Sequence, residues 1–289
     1  YQDTAGFFDE TNQDLVLEGA RERMSMFYCS RRVNLYVPLK CNRQITKLLP
    51  PYTEILLRFN RASPGQCLLG TTGKAYKIKI WDAKVHVMTA KLTDPALTNY
   101  TRILSTEGFK YNVASMVTKT KTFSAGEQNI DWTVWNWNGK LPKRIYYFQT
   151  SQAAYNGDIT KNTLNFETFG VNRMQVFRNG QSLPLNQGFT NCINNDYLVS
   201  YELSQLAINS PTTYNQTRFD FTFGYFILVV DLTQDFNAGA EYQSPKDVGI
   251  LRITADFNNP LPKSITAFCI GEFEDVATIT GDGQFTTEA

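Results

Sequence analysis

Apolar and polar residues alternate along much of the chain, most clearly in its last fifty residues. Between residues 249 and 257 every second residue is apolar: Leu251, Ile253, Ala255 and Phe257. A period of two is typical of a strand that buries one of its faces. Residues 258–262, which contain two prolines, predict a turn, and a strand pattern resumes in residues 265–273. Two antiparallel strands joined by a turn are therefore predicted here.

The same reasoning predicts further strands along the chain. They lie at residues 24–39, 54–61, 76–80, 83–92, 113–123, 130–137, 144–150, 174–177 and 219–231. Asn-Gly pairs favour positive φ, so residues 136–139 and 178–180 are predicted to be turns. This number of short strands, spaced by turn residues, is typical of an antiparallel β-sandwich or barrel.

One helix is predicted after Thr93. Asp94 can supply the N-cap oxygen, and Pro95 suits the first helical position. Leu97, Tyr100 and Leu104 then recur at helical spacing. Gly108 is expected to end this helix.

A segment rich in glycine and proline, residues 62–74, separates two parts of the chain. We place a domain boundary near Gly70, which gives one part at residues 1–70 and a second at residues 71–289. The first part begins as a polar connecting arm. The second part contains most of the predicted strands.

Composition narrows the classes of protein that the chain can belong to. The formal net charge is +1 and 19% of residues are charged, so a basic groove for nucleic acid is not expected. No apolar run approaches the roughly 18 residues that a membrane span needs. The five cysteines are odd in number and widely spaced, which favours buried free thiols in a reducing compartment.

The residue types needed for catalysis or metal binding are sparse. His86 is the one histidine, and its place in an alternating strand favours an exposed polar face. Residues 70–74 resemble a phosphate-binding loop only superficially, because Leu68 stands where a glycine is required and Ala75 where a hydroxyl is required. We therefore predict no catalytic residue, no cofactor site and no metal site.

Two clusters leave more than one interpretation open. Trp132, Trp135 and Trp137 form the densest aromatic patch, and alternation places Trp135 and Trp137 on one face. The patch could be a subunit contact, a platform for sugar stacking, or part of the core. Glu272 and Glu274 lie two residues apart and could be a glycosidase pair, although a solvated sheet edge is the simpler interpretation.

Several motifs together resemble the major capsid proteins of Maverick/Polinton transposons and adintoviruses, a double jelly-roll family. Their order is also that of the family. They are Tyr76-Lys-Ile-Lys-Ile-Trp-Asp-Ala83, Thr118-Lys-Thr-Lys-Thr-Phe-Ser-Ala-Gly126, Gly139-Lys-Leu-Pro-Lys-Arg-Ile145, Tyr155-Asn-Gly-Asp158, Lys161-Asn-Thr-Leu-Asn-Phe166, Asn179-Gly-Gln-Ser-Leu-Pro184, Gly224-Tyr-Phe-Ile-Leu-Val-Val-Asp-Leu-Thr-Gln-Asp235 and Glu272-Phe-Glu274.

The resemblance implies an all-β fold: the second jelly roll of a double jelly-roll capsid protein, with remnant strands of the first and one short helix. Residues 1–70 would be the connecting arm and the final strands of a first, incomplete jelly roll. The remainder of that first unit would lie upstream or have been removed. Residues 71–289 would be the jelly-roll domain.

The implied function is that of a non-enzymatic capsid subunit, which forms trimers of pseudo-hexagonal outline and then an icosahedral shell. Candidate subunit contacts are Trp132, Trp135, Trp137, Tyr155 and Asn156. The expected partners are further copies of the chain and a penton-type minor capsid protein. The expected location is a virion or virus-like particle assembled inside the host cell. The alternative is a carbohydrate-binding or glycan-processing β-sandwich that uses the three tryptophans, with Glu272 or Glu274 as the acid.

Overall fold

The structure of the chain is a computed structural model. It describes residues 25, 48–50, 53–54, 56–70, 77–183, 190–191, 197–208, 221–239, 245–281 and 285–287. Two compact units are present. The first combines Tyr1–Pro38, Ala62–Tyr76 and Thr118–Gly271, and the second combines Leu39–Arg61, Lys77–Val117 and Glu272–Ala289. The predicted boundary near Gly70 stays a prediction, as does the strand at residues 24–39, which lies outside the described residues apart from Ser25.

Ten strands are assigned within the described residues. They are β1 (Phe109–Phe123), β2 (Asn129–Lys140), β3 (Arg144–Ser151), β4 (Val171–Arg178), β5 (Gln181–Leu183), β6 (Thr190–Asn191), β7 (Ile227–Asp231), β8 (Val248–Phe257), β9 (Ile265–Ile279) and β10 (Phe285–Thr287). The helices among the same residues are α1 (Pro64–Cys67), α2 (Asp94–Thr106), α3 (Gln152–Tyr155) and α4 (Leu198–Ile208).

The strand order identifies the fold. One sheet has the order β1-β9-β3-β7, with β10 beside β9, and the other has the order β2-β8-β4-β5, with β6 beside β4. If β1–β5 and β7–β9 are lettered B to I along the chain, these orders are B-I-D-G and C-H-E-F. That arrangement of two antiparallel sheets is the jelly roll. The all-β, antiparallel jelly-roll fold expected from the sequence is therefore confirmed.

Strand β8 shows why these residues form a sandwich. Leu251, Ile253, Ala255 and Phe257 are all buried, while Arg252 and Asp256 between them are exposed. The period of two therefore carries one side of β8 into the space between the sheets. On β9, Ile265, Ala267 and Cys269 are also fully buried. Burial raises the pKa of the Cys269 thiol above its usual range.

A β-bulge in β2 changes which tryptophans enter the core. Trp132 pairs with Ile253, Thr133 with Arg252, and Trp135 with Leu251, so one extra residue stands on β2 between Thr133 and Trp135. An extra residue reverses the parity of the residues that follow it. Trp132 and Trp135 consequently both lie on the core side, at 7% and 8% exposure. Alternation alone had placed them on opposite faces.

The ring of Trp135 lies directly over Gly271 on β9, in the opposite sheet. A Cβ added at Gly271 would stand 2.7 Å from Cζ2 of Trp135 and 3.0 Å from Cβ of Pro142. Contacts this short are far inside normal carbon–carbon separation, so only glycine fits there. Gly271 therefore provides the space that the indole occupies between the sheets.

Helix α2 confirms the predicted helix, with its start shifted by one residue. Thr93 is the N-cap, Pro95 lies in the first turn, and Gly108 has a φ of 73° just beyond the end. Within the second unit, Tyr100 stacks on Phe109 with their ring centroids 4.3 Å apart. Burial, the largest of several causes, raises the pKa of Tyr111 to about 12.

Helix α4 was not predicted, and it covers an edge of the first sheet. Strand β7 stands at that edge, and the Val229 N–H donates to the Ser204 hydroxyl of α4 at 3.1 Å. The Arg144 side chain donates to the Ala207 carbonyl at 2.8 Å. A helix that accepts edge hydrogen bonds removes a site for unwanted strand pairing. The apolar residues of α4 have no clear helical period, so their pattern did not predict a helix here.

Three predicted strands are wrong in the part of the chain that the structure describes. Residues 56–61, 77–80 and 83–92 have no strand assignment. Their side chains do alternate, but a strand also needs a neighbour that completes its backbone hydrogen bonds. Leu56, Phe59 and Val87 are consequently exposed, at 80%, 69% and 66%.

Two further predictions need correction at β2 and β7. Residues 136–139 are not a turn, because β2 continues to Lys140 and pairs again at Gly139 with Gly249 after an irregular stretch. The predicted strand at residues 219–231 is shortened to Ile227–Asp231. Gly224, with a φ of 91°, is in a turn before β7, which prevents one continuous strand. The turn at residues 178–180 is confirmed, since Asn179 and Gly180 both have positive φ.

The loop after β7 holds an aromatic residue in a strained conformation. Phe236 has a φ of 53° and its side chain is 54% exposed. The buried Asp231 carboxylate fixes this loop: Oδ1 accepts from the Thr233 amide at 2.8 Å, and Oδ2 accepts from the Ala238 amide at 2.7 Å. A left-handed conformation costs a residue with a Cβ on the order of 1 kcal/mol. The carboxylate network therefore offsets the strain at Phe236.

The contact between Trp135 and Gly271 predicts a specific loss of stability. Gly271→Ala should lower the free energy of unfolding by about 1–3 kcal/mol, because the new methyl group overlaps the indole. Urea denaturation measures this change. Trp135→Phe is the matched test: in the double variant the cost of Gly271→Ala should be smaller than in the wild type. Equal costs in the two backgrounds would show that the indole is not what Gly271 accommodates.

The strain at Phe236 predicts a gain in stability. Phe236→Asn should raise the free energy of unfolding by up to about 1 kcal/mol, because asparagine tolerates a positive φ better than phenylalanine. Thermal denaturation measures it. Phe236→Leu is the control, since leucine removes the ring but keeps the strain, and it should give no gain. A stabilising leucine variant would contradict this explanation.

Candidate functional site

The tryptophan patch is largely internal. Trp132 and Trp135 lie between the sheets through the bulge described above, and the side chain of Trp137 lies outside the described residues. Neither buried indole offers an open face on which a sugar ring could stack. Of the interpretations left open by the sequence, core packing describes Trp132 and Trp135 in this structure. A subunit contact through this patch stays a prediction.

Tyr155 and Asn156 lie just after β3, where the chain leaves the first sheet through helix α3. Ser151 caps that helix by accepting from the Ala154 amide at 3.3 Å. The Tyr155 ring meets Phe268 edge-on, with centroids 5.4 Å apart. Asn156 is exposed. The structure thus divides this candidate pair: Tyr155 is half-buried against the sheet, and Asn156 faces solvent.

An aromatic cluster on β3 and β9 packs beside the loop that contains Tyr155 and Asn156. Phe148 of β3 stacks on Phe268 of β9 at 5.0 Å, and Phe166 packs against Phe148 at 4.5 Å. Aromatic pairs at these separations contribute about 0.5–1.5 kcal/mol each beyond their burial. Together with Tyr155, these rings fix the start of the loop on the outer side of the sheet.

The segment around helix α1 packs against the same loop. Gln66 donates its side-chain amide to the Tyr155 carbonyl at 2.8 Å, and the Gly70 amide donates to the Ile159 carbonyl at 2.9 Å. A Cβ on Gly65 would come within 2.1 Å of the Gly157 carbonyl oxygen. Residues 63–70, interpreted from sequence as a linker, therefore form part of this site.

A sequence signal for this segment exists in Ser63-Pro-Gly-Gln66. Glutamine three residues after a serine is typical of a capping box, and proline suits the first helical turn. The Gln66 side-chain oxygen accepts from the Ser63 amide at 3.2 Å, which is one half of that motif. The glycines and proline of this segment predicted a linker, so the short helix was not predicted.

The charged groups near these residues are mostly engaged in local structure. The Asp158 carboxylate accepts from the amide and hydroxyl of Thr160 at 3.0 and 2.7 Å. Both hydrogen bonds lower the pKa of Asp158, and the bond from the backbone amide has the larger effect. On β2, Asp131 accepts from the Arg252 Nε at 2.7 Å, and this hydrogen bond lowers the pKa of Asp131.

The candidate chemical groups differ in their exposure to solvent. Glu272 is 7% exposed and Glu274 is half-buried, both on β9. His86 is exposed, in the segment that has no strand assignment. Among the residues that the structure describes, no group of three or more His, Cys, Asp or Glu side chains could hold a metal ion. Cys269 is a buried free thiol as expected, whereas Cys67 is a free thiol that is exposed.

Packing of residues 63–70 on the loop predicts the effect of a substitution. Gly65→Ala should displace this segment, because the methyl group would overlap backbone atoms that cannot rotate away. Hydrogen exchange of the Gly70 amide should then become at least about tenfold faster, as its bond to Ile159 opens. Asn156→Ala is the control, since the Asn156 side chain has no hydrogen bond among the described residues. Unchanged exchange in the Gly65 variant would contradict the packing.

The described helices include none long and apolar enough to cross a membrane. Protein-family models yield no match to this chain. A search of curated proteins likewise yields none.

Solved structures of viral capsid proteins are similar in fold. The VP54 protein of PBCV-1 aligns with a TM-score of 0.43 and 7% identity, over 68% of this chain and 55% of that one. The Sputnik virophage structure aligns at 0.37 and 14% identity, over 62% and 38%. The mavirus major capsid protein aligns at 0.37 and 10% identity, over 63% and 41%. The chain spans roughly half the length of these proteins. Each TM-score is below 0.5, so the fold assignment depends on the strand order of the chain itself.

Proposed function

We propose that the chain is a structural subunit of a viral or virus-like capsid and that it acts by self-assembly. Its finer identity in this proposal is a major capsid protein of the Maverick/Polinton and adintovirus type. Three copies form a capsomer of pseudo-hexagonal outline, and capsomers tile an icosahedral shell. The role is structural and involves no catalysis. The protein functions in the virion or virus-like particle and assembles inside the host cell.

The observation that carries the proposal is the strand order B-I-D-G and C-H-E-F. It agrees with the jelly roll that the motif order in the sequence implies for residues 71–289. Fold alone does not determine function, since jelly rolls also occur in lectins and cupins. The motifs of the resemblance, distributed from Tyr76 to Glu274, connect this jelly roll to capsid subunits in particular.

Residues 1–70 are, in this proposal, the connecting arm and final strands of a first jelly roll. The described part of this range has exposed apolar side chains at Leu56, Leu57 and Phe59. Exposed apolar side chains of this kind are expected where the surface that would cover them belongs to an incomplete unit. Ile80, Trp81 and Met88 are also exposed.

The contacts between subunits involve the loop at Tyr155 and Asn156. Asn156 is exposed and held by the rigid loop, so it can touch a neighbouring copy without reordering the backbone. Trp137 remains a candidate for direct contact, while Trp132 and Trp135 are buried between the sheets. Beyond copies of itself, the subunit would meet a penton-type minor capsid protein in the shell.

Assembly is tested with the full-length protein that contains this chain. Light scattering after size exclusion should show trimers, and electron microscopy should show capsomers or particles. Asn156→Arg should weaken association by at least about tenfold, because it places a long charged side chain in a packed contact. Asn99→Arg, on the exposed surface of helix α2, is the matched control and should still assemble.

One result would count against this function, and a second would count only against the proposed contact. A full-length protein that stays monomeric at high concentration, with no particles, would contradict self-assembly. Normal assembly of the Asn156→Arg variant would leave the capsid role intact but remove the Tyr155–Asn156 loop from the contact. Circular dichroism of both variants must match the wild type for either result to apply.

A further inference from the structure

A cleft at one end of the sandwich has several residues with hydrogen-bond donors among those that line it. It lies where the chain leaves β3, beside the turn between β8 and β9, and has a volume of about 360 Å³. A volume near this value is at the small end of ligand-binding sites. The polar residues that line the cleft are Ser151, Gln152, Asn156, Lys161, Lys263 and Ser264. None of them carries a carboxylate.

The two serine hydroxyls are oriented by the backbone. Ser151 Oγ accepts from the Ala154 amide at 3.3 Å, and Ser264 Oγ accepts from the Ala125 amide at 3.3 Å. A hydroxyl that accepts in this way still has its own hydrogen to donate. Among the described residues neither hydroxyl donates to a protein group. Both hydrogens are therefore available to a ligand in the cleft.

The two lysines supply positive charge in different ways. Lys263 Nζ lies 3.4 Å from Glu167 Oε2 and 5.1 Å from the centre of the Phe169 ring, so its ammonium group is positioned. Glu167 also accepts from the Asn165 side chain at 2.9 Å through its other carboxylate oxygen. Lys161 is half-buried and has no ion pair within 4 Å in the described part of the chain. Its charge is not neutralised by direct contact.

The side-chain amides complete the set. Gln152 and Asn156 make no side-chain hydrogen bond to the described part of the protein, and each can donate two hydrogens. The Asp158 carboxylate, which interacts electrostatically with Lys161, accepts two hydrogen bonds from Thr160. Amide, hydroxyl and ammonium donors around one space form the donor pattern that proteins use for oxyanions.

We propose that this cleft binds one oxyanion group: a carboxylate, sulfate or phosphate. The group comes either from a free anion or from an acidic side chain of a second copy of the chain. Lys161 and Lys263 supply the charge, the two serines and two amides supply neutral donors, and Glu167 positions Lys263. Binding of a free anion does not depend on assembly, so this site is separable from the capsid function.

Inorganic sulfate is the probe, titrated into the full-length protein at constant ionic strength with chloride as the replaced ion. Amide chemical shifts or calorimetry should show saturable binding. Lys161→Gln with Lys263→Gln should weaken it by about tenfold or more, because two charge-assisted hydrogen bonds are lost. Lys77→Gln with Lys119→Gln, which removes two exposed lysines elsewhere, should leave the affinity unchanged. Gln152→Glu, which adds a negative charge to the cleft and keeps both lysines, should also weaken it.

Equal sulfate binding in the wild type and the Lys161/Lys263 variant, or no saturable binding in any protein, would overturn the proposal. The source of the group follows from light scattering on the same proteins. If the Lys161/Lys263 variant loses association and sulfate dissociates the wild type, the group belongs to a second copy. If association is unaffected, the ligand is a free anion. A protein that does not assemble at all would contradict the capsid function and leave the sulfate result valid.

Discussion

Burial of alternate side chains between two sheets is the interaction on which the rest of this structure depends. Leu251, Ile253 and Ala255 on one sheet and Ile265 and Ala267 on the other are almost wholly removed from water. Each large aliphatic side chain buried in this way contributes roughly 1.5–3 kcal/mol. The loops and short helices that carry exposed polar groups have little apolar area of their own, so their positions are determined by where these strands end.

The limits of sequence interpretation follow from the same interaction. Residues 249–257 could be predicted because the period of two there reports burial directly, and the buried set agrees with it. Residues 83–92 have a similar period but no partner strand among the described residues. Alternation describes one strand, whereas a sheet needs two, and single-sequence patterns do not identify the second. Helix α4 was missed for the opposite reason, because its burial on a sheet edge leaves no periodic signal.

The candidate site was predictable in position but not in detail. The family resemblance indicated the loop at Tyr155 and Asn156, and the structure places both residues at the end of β3. The bulge that turns Trp135 inward could not be inferred, because it depends on pairing with Leu251 more than a hundred residues later. The cleft also brings together residues that are more than a hundred positions apart in the sequence, namely Lys161 with Lys263 and Ser151 with Ser264. Only the folded sheets bring such residues together.

Backbone hydrogen bonds connect the loops at the end of the sandwich that carries the cleft. The backbone amide of Gln152 donates to the Ser264 carbonyl at 3.0 Å, and the backbone amide of Gly126 donates to the Leu261 carbonyl at 2.8 Å. These bonds join the exit of β3, the turn between β1 and β2, and the turn between β8 and β9. Ordered loops lose less conformational entropy when they bind, so contacts made there retain more of their interaction energy. In the capsid subunit proposed above, this order would be a physical reason to place subunit contacts in these connections, while the sheets supply the stability.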